Sequence, residues 1–229
     1  MAEIRHLIFD LGNVLLHYRW KELLRDLGAR EEELDRIGDE MFEDPRRLWH
    51  EFDLGNYTAE ELTAEFAKEF PEDAGIIADF IRHGEYMHVP RVQVWKLVHQ
   101  LKKRGYGIYL LSNYPKELFH KHTEYADFMQ DLDGMAVSYQ LHQGKPEPPI
   151  YHYLLDIYRL RPEECIFFDD RDENIAGAEN CGIHGRLVAS EKSLLEDLEQ
   201  ILNGEIDTVL AGCGTVSGNY VTEAHAGLR

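Results

Sequence analysis

Leu7-Ile8-Phe9-Asp10, close to the start of the chain, is a short apolar run that stops at a carboxylate. Two later runs have the same form, because Ile108 to Leu111 stops at Ser112-Asn113 and Ile166 to Phe168 stops at Asp169-Asp170. Short runs that are apolar on both faces and precede helical patterns predict buried parallel strands. Ligands of open α/β sheets bind outside the carboxyl ends of the strands. We therefore predict an α/β fold with a doubly wound parallel sheet, whose strand ends bring these polar groups to one crevice.

The composition limits the classes of protein and of partner. The 229 residues include 43 acidic and 24 basic side chains, for a formal net charge of -19, and 44% are hydrophobic. That hydrophobic content suits one globular core with or without an inserted module. The negative charge disfavours nucleic acid and anionic membranes as partners. A phosphate-bearing ligand therefore needs local positive charge or a metal.

Two further features concern location and covalent structure. The sequence shows no charged-then-apolar leader and no apolar run long enough to span a membrane, so we expect a cytoplasmic protein. The three cysteines have neither metal-ligand spacing nor an even number, which argues against a zinc site or a disulfide framework. Cys165 and Cys181 are predicted to be buried hydrophobic residues.

The order of patterns along the chain divides it into three parts. Residues 14–89 carry only helical patterns, including the capping-box signature of Thr58 with Glu61, and are predicted to form an inserted α-helical cap. Residues 1–13 and 90–203 alternate strand and helix patterns and are predicted to form the catalytic core. Residues 204–229, rich in small and polar side chains, are predicted to be a loosely attached extension of unknown role.

Several local elements of the core follow from its patterns. A short strand is predicted from Ala136 to Tyr139, leading into the loop Gln143-Gly144-Lys145-Pro146. Pro148-Pro149 predicts the first turn of a helix, where proline is tolerated. A strand from Arg186 to Ala189 and a helix capped by Ser193 with Glu196 complete the alternation.

The strand-end aspartates predict a divalent cation. Alone, Asp10 could be a nucleophile, a metal ligand or merely a helix cap. If Asp10 and Asp170 end adjacent strands, their carboxylates repel by roughly 4 kcal/mol at about 4 Å and an effective dielectric of about 20, unless a cation lies between them. Hard oxygen ligands, with no thiolate or imidazole at matching positions, favour Mg²⁺.

Ser112, Asn113 and Lys145 supply hydrogen-bond donors and one positive charge at the same crevice. Such groups can stabilise the oxygens of a phosphoryl group during transfer. Each also has a simpler interpretation, with Ser112-Asn113 as a turn and Lys145 as a solvated loop residue. Their shared placement favours the functional interpretation.

Four motifs in this order resemble those of the haloacid dehalogenase superfamily of phosphohydrolases, over roughly residues 4 to 202. The resemblance includes the helical insert after the first motif, and it implies a Rossmann-like core. Within the superfamily, the first and fourth motifs are similar to those of the group that includes α-D-glucose-1-phosphate phosphatase. The motifs are Phe9-Asp10-Leu11-Gly12-Asn13-Val14-Leu15, Leu110-Leu111-Ser112-Asn113, Gly144-Lys145-Pro146-Glu147 and Phe167-Phe168-Asp169-Asp170.

The resemblance implies a role for each matching position. Asp10 would be the nucleophile that forms an aspartyl-phosphate. Lys145 would be a second catalytic residue and would bind the substrate phosphate with Ser112 and Asn113. Asn174 would support the site, and the helical insert would close over the substrate. The implied Mg²⁺ ligands are Asp10, the Gly12 carbonyl and Asp170, with Asp169 ligating or orienting.

Gly12 departs from the superfamily pattern, in which most phosphatases carry a second aspartate two residues after the nucleophile as general acid and base. Such catalysis is worth about 10² to 10⁴-fold, so its loss costs roughly 3 to 5 kcal/mol unless another group replaces it. A sugar-1-phosphate needs less help at the first step, because an anomeric hydroxyl leaves more readily. His17, near the cap hinge, is a candidate to replace this general acid and base. The alternative is that His17 is a hinge residue with no chemical role.

These features predict a Mg²⁺-dependent phosphomonoesterase acting on a small phosphorylated metabolite, with a sugar-1-phosphate as one candidate. A 2-haloacid dehalogenase is an alternative, since halide leaves without a proton, although that reaction needs no metal. A non-catalytic phosphate-binding or regulatory protein is another. Tyr18, Trp20, Trp49 and Phe52 could either line the substrate pocket or form the core of the cap.

Overall fold

A five-stranded parallel sheet forms the centre of the computed structural model, which describes residues 3–214. The strand order is β5-β4-β1-β6-β7, so β1 lies in the middle, and all of its pairings are parallel. This confirms the predicted doubly wound α/β fold. The strands are β1 His6–Phe9, β4 Gly107–Ser112, β5 Gly134–Val137, β6 Cys165–Asp169 and β7 His184–Leu187, and a separate antiparallel pair comprises β2 Leu16–Tyr18 and β3 His88–Pro90.

The strands are apolar on both faces because helices cover both sides of the sheet. Along β1, Leu7 and Phe9 belong to the larger buried cluster, whereas Ile8 belongs to the smaller one. This is the alternation of side chains expected in a strand. The larger cluster includes α6 Val92–Lys103 and α11 Glu191–Leu202, and the smaller one α9 Pro148–Tyr158 and α10 Asp172–Asn180.

The register of the sheet places the three predicted strand ends side by side. Phe9 is paired with Leu110 of β4 and with Phe168 of β6. The backbone N–H of Asp10 donates to the carbonyl of Phe168 at 2.9 Å. The first polar residue after each of these strands therefore lies at the same edge of the sheet.

Five helices lie between β2 and β3, in the segment predicted as a cap. The prediction of only helical patterns in residues 14–89 was wrong at both ends of this segment, because β2 and β3 pair with each other there as strands. The Thr58 hydroxyl accepts a hydrogen bond from the Glu61 N–H, and the Thr58 N–H donates to the Glu61 carboxylate at 2.9 Å, which confirms the predicted capping box. Buried residues of this segment, such as Phe66 and Phe80, join the same cluster as Leu7 and Phe9. The division of the chain into core and cap at residues 14 and 89 stays a prediction. The helices are α1 Trp20–Asp26, α2 Leu34–Phe42, α3 Leu48–Asp53, α4 Ala59–Glu69 and α5 Ala74–Arg82.

Some predicted boundaries were wrong by a few residues. The strand predicted from Ala136 to Tyr139 ends at Val137, because Ser138 begins α8 and accepts a hydrogen bond from the Tyr114 N–H at 2.8 Å. The cap of α11 is Ser190 rather than Ser193. The last strand is β7, which begins earlier than the predicted Arg186 because His184 pairs with Ile166. The remaining helices are α7 Lys116–Thr123, α8 Ser138–Leu141 and α12 Ile206–Ala211.

The predicted C-terminal extension is described only in part. Within it, α12 buries Val209 against the larger cluster, so this portion is attached to the core. Residues 215–229 lie outside the described residues. Cys165 is buried as predicted, whereas Cys181 is partly exposed, contrary to the prediction. Among the described residues, no helix has the length and apolar character needed to cross a membrane.

Candidate active site

Three carboxylates meet at the carboxyl ends of β1 and β6. Asp10 directly follows β1, Asp169 is the last residue of β6, and Asp170 comes next. One oxygen from each lies within 4.8 Å of the others, and Asp10 and Asp169 are buried. Negative charges this close together, away from water, repel strongly unless a cation compensates them. The cluster is therefore a candidate site for a metal ion.

Lys145 supplies a positive charge inside this cluster. Its Nζ lies 2.8 Å from Oδ1 of Asp10 and 2.5 Å from Oδ2 of Asp169, and the residue is only 2% exposed. Burial favours the neutral amine, but the two carboxylates outweigh that effect and raise the pKa of Lys145 above its usual value. The lysine is therefore a charged group bound between two carboxylates, and the alternative of a solvated loop residue does not hold.

Asp169 and Asp170 differ in how many hydrogen bonds they receive. Besides the Lys145 bond, Asp169 accepts from the N–H of Arg171 at 2.8 Å and from Nδ2 of Asn174 at 3.0 and 3.1 Å. Asp170 accepts from Nδ2 of Asn13 at 3.0 Å. Burial, followed by the neighbouring carboxylates, raises the pKa of Asp170 to about 7. Asp170 thus keeps free lone pairs for a ligand, whereas Asp169 is bound on both oxygens.

Ser112 and Asn113, at the end of β4, have different surroundings. The Ser112 hydroxyl is buried, with the residue 1% exposed, and has no hydrogen-bond partner among residues 3–214. Because an unpaired buried hydroxyl is costly, this group is poised to bind a ligand. The Asn113 side chain accepts from the Lys145 N–H at 2.8 Å and donates to the Lys145 carbonyl at 2.9 Å. Asn113 therefore fixes the loop that carries the lysine, just before the cis peptide bond to Pro146.

Gly12 and His17 lie on the segment that connects β1 to the helices. Gly12, whose carbonyl is the predicted further metal ligand, lines the same cavity as Asp10. His17 is exposed and pairs with Val89 in the two-stranded sheet. Since side chains alternate across a strand, the next residue, Tyr18, faces the cavity instead. His17, named from the sequence as a replacement for the missing acid, therefore lies on the face of β2 turned away from the cavity.

A cavity of about 190 Å³ opens above the carboxylates. Its walls include Tyr18, Trp20 and Trp49, which were named from the sequence as possible lining residues, and further aromatic and charged side chains that no motif contains. Burial raises the pKa of Asp53 well above its usual range, against the opposing effect of the Arg171 guanidinium. Phe52, one of the predicted alternatives, is buried in the core of the helices rather than against the cavity. The helices contribute Trp20, Phe42, Trp49, His50 and Asp53, the residue before α3 is Arg47, and the loop after β4 contributes Tyr114.

Comparison with known proteins identifies the family. A family model described as haloacid dehalogenase-like hydrolase matches residues 4–182. The chain belongs to the haloacid dehalogenase-like hydrolases. The four predicted motifs of this hydrolase all lie inside the matched residues, and each contributes a polar side chain to the same cavity, namely Asp10, Asn113, Lys145 and Asp170.

Among curated relatives, the hydrolase is 24% identical to the sesquiterpene phosphatase astK of Aspergillus oryzae, over 85% of this chain and 95% of that protein. It is 32% identical to the mouse bifunctional epoxide hydrolase 2, over 53% of this chain but only 24% of that protein. Its fold is similar to that of a haloacid dehalogenase family enzyme from Bacteroides thetaiotaomicron, solved with magnesium and inorganic phosphate. That likeness has a TM-score of 0.61 and 21% identity, and covers 80% of this chain and 93% of the other.

Proposed function

We propose that this hydrolase is a Mg²⁺-dependent phosphomonoesterase that acts on a small phosphorylated metabolite through an aspartyl-phosphate on Asp10. The observation that carries the proposal is the position of Lys145, bound between Asp10 and Asp169 at the sheet edge that also holds the unpaired Ser112 hydroxyl. A lysine and a hydroxyl donor around a strand-end carboxylate suit a phosphoryl group. The likeness to a sesquiterpene phosphatase supports this chemistry.

The carboxylate cluster fits Mg²⁺. Three acidic side chains lie within 4.8 Å of one another, two of them bind Lys145, and Asp170 has oxygen lone pairs that no described side chain uses beyond its bond from Asn13. Asp10, Asp170 and the Gly12 carbonyl would hold the ion, whereas Asp169 would orient Lys145, because its oxygens already accept several hydrogen bonds. When bound, the ion would neutralise charge on the substrate phosphate and polarise its oxygens.

The reaction divides into two transfers. In the first, a carboxylate oxygen of Asp10 attacks phosphorus, the bond to the leaving oxygen breaks, and that oxygen takes up a proton from the solvent. Lys145 and Ser112 would bind the phosphoryl oxygens during the transfer. In the second, water attacks phosphorus and the bond to Asp10 breaks, which releases phosphate and restores the carboxylate.

The absence of a carboxyl side chain at residue 12 favours substrates with a good leaving oxygen. Without that acid, phosphates with a good leaving oxygen react faster, and sugar-1-phosphates have one because the anomeric oxygen is less basic. The aromatic wall of the cavity would contact the organic portion of the substrate. We therefore propose a sugar-1-phosphate as a candidate substrate.

The test is phosphate release from a panel of phosphate esters with Mg²⁺ and with a chelator. The panel contains 4-nitrophenyl phosphate, a prenyl phosphate and the matched pair glucose 1-phosphate and glucose 6-phosphate, and halide release from 2-chloropropionate is measured in parallel. We expect Mg²⁺-dependent phosphate release, faster from the 1-phosphate than from the 6-phosphate. Phosphate binding without turnover of any ester would indicate a binding protein, and halide release would indicate a dehalogenase.

Two aspartate variants serve as a matched pair in this test. Asp10→Asn removes the nucleophile with little change of shape, so phosphate release should fall to background. Asp133→Asn changes a carboxylate at the opposite end of the sheet, where Asp133 accepts from the Ile108 N–H at 2.9 Å, and should leave turnover intact. Substantial activity in Asp10→Asn would contradict the covalent route.

A further inference from the structure

The ring of Tyr18 fills the space in which a side chain at residue 12 would lie. A Cβ atom on Gly12 would overlap Cε2 of Tyr18 and lie only 3.0 Å from the Tyr18 hydroxyl oxygen. Both residues line the cavity with Asp10. Outside residues 11–13, the hydroxyl oxygen of Tyr18 is therefore the polar atom nearest to the place where the superfamily pattern has an acid and base.

The hydroxyl of Tyr18 is the outer end of a buried hydrogen-bonded chain. It is hydrogen-bonded to the Tyr114 hydroxyl, which in turn lies 2.6 Å from Nδ1 of His122. Nε2 of His122 lies 2.9 Å from the carbonyl oxygen of Gly84. Tyr114 and His122 are buried, so each polar atom of the chain depends on its neighbour for a partner.

The partners determine which atom donates at each step. Since the Gly84 carbonyl can only accept, Nε2 of His122 carries a hydrogen. Burial, followed by the charge of His88, lowers the pKa of His122 to about 4, so the ring is neutral and its Nδ1 is an acceptor. The Tyr114 hydroxyl therefore donates to His122, and its oxygen accepts from Tyr18. The hydrogen of the Tyr18 hydroxyl is directed into the protein, and its oxygen lone pairs are left for the cavity.

We propose that the Tyr18 oxygen accepts a hydrogen bond from the water that attacks the aspartyl-phosphate, and so orients this water where residue 12 has no side chain to do so. The inference rests on the proposed function. In this step the water oxygen bonds to phosphorus, the bond to Asp10 breaks, and both water hydrogens leave with phosphate as H₂PO₄⁻. Tyr18 stays neutral throughout, so it positions the water and does not remove its proton.

This role of Tyr18 affects only the second of the two transfers. An acceptor cannot protonate the leaving oxygen, so Tyr18 contributes to breakdown of the intermediate and not to its formation. A positioning hydrogen bond of this kind is worth about tenfold in rate, which corresponds to the net contribution of one hydrogen bond. His17, on the outer face of the same strand, contributes to neither step.

The test measures both steps in single-turnover reactions of the Mg²⁺-loaded protein with 4-nitrophenyl phosphate. Nitrophenolate release reports formation of the intermediate, and phosphate release reports its breakdown. Tyr18→Phe keeps the ring beside Gly12 and removes the oxygen. We expect an unchanged rate of nitrophenolate release, a roughly tenfold slower breakdown and accumulation of phosphorylated protein.

Two further variants complete the experiment. Tyr114→Phe removes the oxygen that accepts from Tyr18, so it should also slow phosphate release more than nitrophenolate release. Tyr158→Phe removes a hydroxyl that accepts from the Met135 N–H at 3.1 Å, away from the cavity, and should change neither rate. Equal slowing of both steps by Tyr18→Phe, or slowing of neither, would overturn the inference while leaving the proposed function intact. A wild-type protein that releases no nitrophenolate would overturn the proposed function itself.

Discussion

Replacement of the buried lysine tests the electrostatics of the site without any substrate. Lys145→Met keeps the length of the side chain and removes its charge. Each ion pair, at 2.8 Å to Asp10 and 2.5 Å to Asp169, has a Coulomb energy of about 6 kcal/mol at an effective dielectric of about 20. Much of this offsets the cost of burying the charges, and removal of one partner from a buried pair typically costs about 3–5 kcal/mol. We expect a loss near 4 kcal/mol in the free energy of unfolding.

The assay is urea unfolding at pH 7 with a chelator present, and Lys192→Met is the control. Lys192 is a surface residue whose Nζ lies 3.7 Å from Glu196, so its replacement should change the free energy of unfolding by less than about 0.5 kcal/mol. Mg²⁺ should return part of the stability lost in Lys145→Met, because a cation again compensates the carboxylates. An unchanged urea midpoint in Lys145→Met would refute the view that this lysine compensates the cluster.

The stability of the same variant should depend more steeply on pH than that of the wild type. The pKa values of Asp169 and Asp170 already lie above their usual range because both carboxyls are buried, and without the lysine they rise further, so the folded state binds more protons. Stability then increases as the pH falls, and the deficit of Lys145→Met relative to the wild type should narrow between pH about 7 and about 5. A deficit that stays constant over this range would contradict that sign.

Two other changes test the metal site and the space beside it. Asp170→Asn should raise the Mg²⁺ concentration needed for half-maximal phosphate release by at least about tenfold, because Asp170 has the carboxylate oxygens least used by the protein; an unchanged requirement would mean that Asp170 is not a ligand. Gly12→Asp should lower both activity and stability, because the Cβ atom of the new side chain would overlap the Tyr18 ring. The double variant Gly12→Asp with Tyr18→Ala removes this overlap and should recover stability. Higher activity in the single Gly12→Asp variant, measured as phosphate release from glucose 6-phosphate, would show that the ring moves aside freely.

The sheet and the strand ends could be predicted from the sequence because their signals are local. Each strand is a short apolar run, and polar residues that end parallel strands must lie at one edge of the sheet. The same reasoning places Asp10, Ser112 and Asp170 together from the amino-acid pattern alone. Lys145 could be placed near the site as part of a motif, but its burial between two carboxylates depends on Asn113, which holds the loop backbone on both sides.

The parts that could not be predicted depend on contacts between distant segments. Tyr18 acquires its position only when β2 pairs with β3, and its partner Tyr114 comes from the loop after β4. Asp53 faces the cavity from a helix whose orientation the helical period does not fix. Alternation of side chains along a strand puts His17 and Tyr18 on opposite faces. It does not determine which of the two faces meets the cavity.

Direct detection of the phosphorylated residue tests the central claim. The Mg²⁺-loaded protein is mixed with 4-nitrophenyl phosphate in water labelled with heavy oxygen, quenched rapidly in acid and digested, and the peptide that contains Asp10 is analysed by mass spectrometry together with the released phosphate. We predict one phosphoryl group on Asp10, absent from the Asp10→Asn variant, and heavy oxygen in the released phosphate. Turnover with no phosphoryl group on Asp10, or heavy oxygen in the Asp10 carboxylate instead of the phosphate, would contradict it.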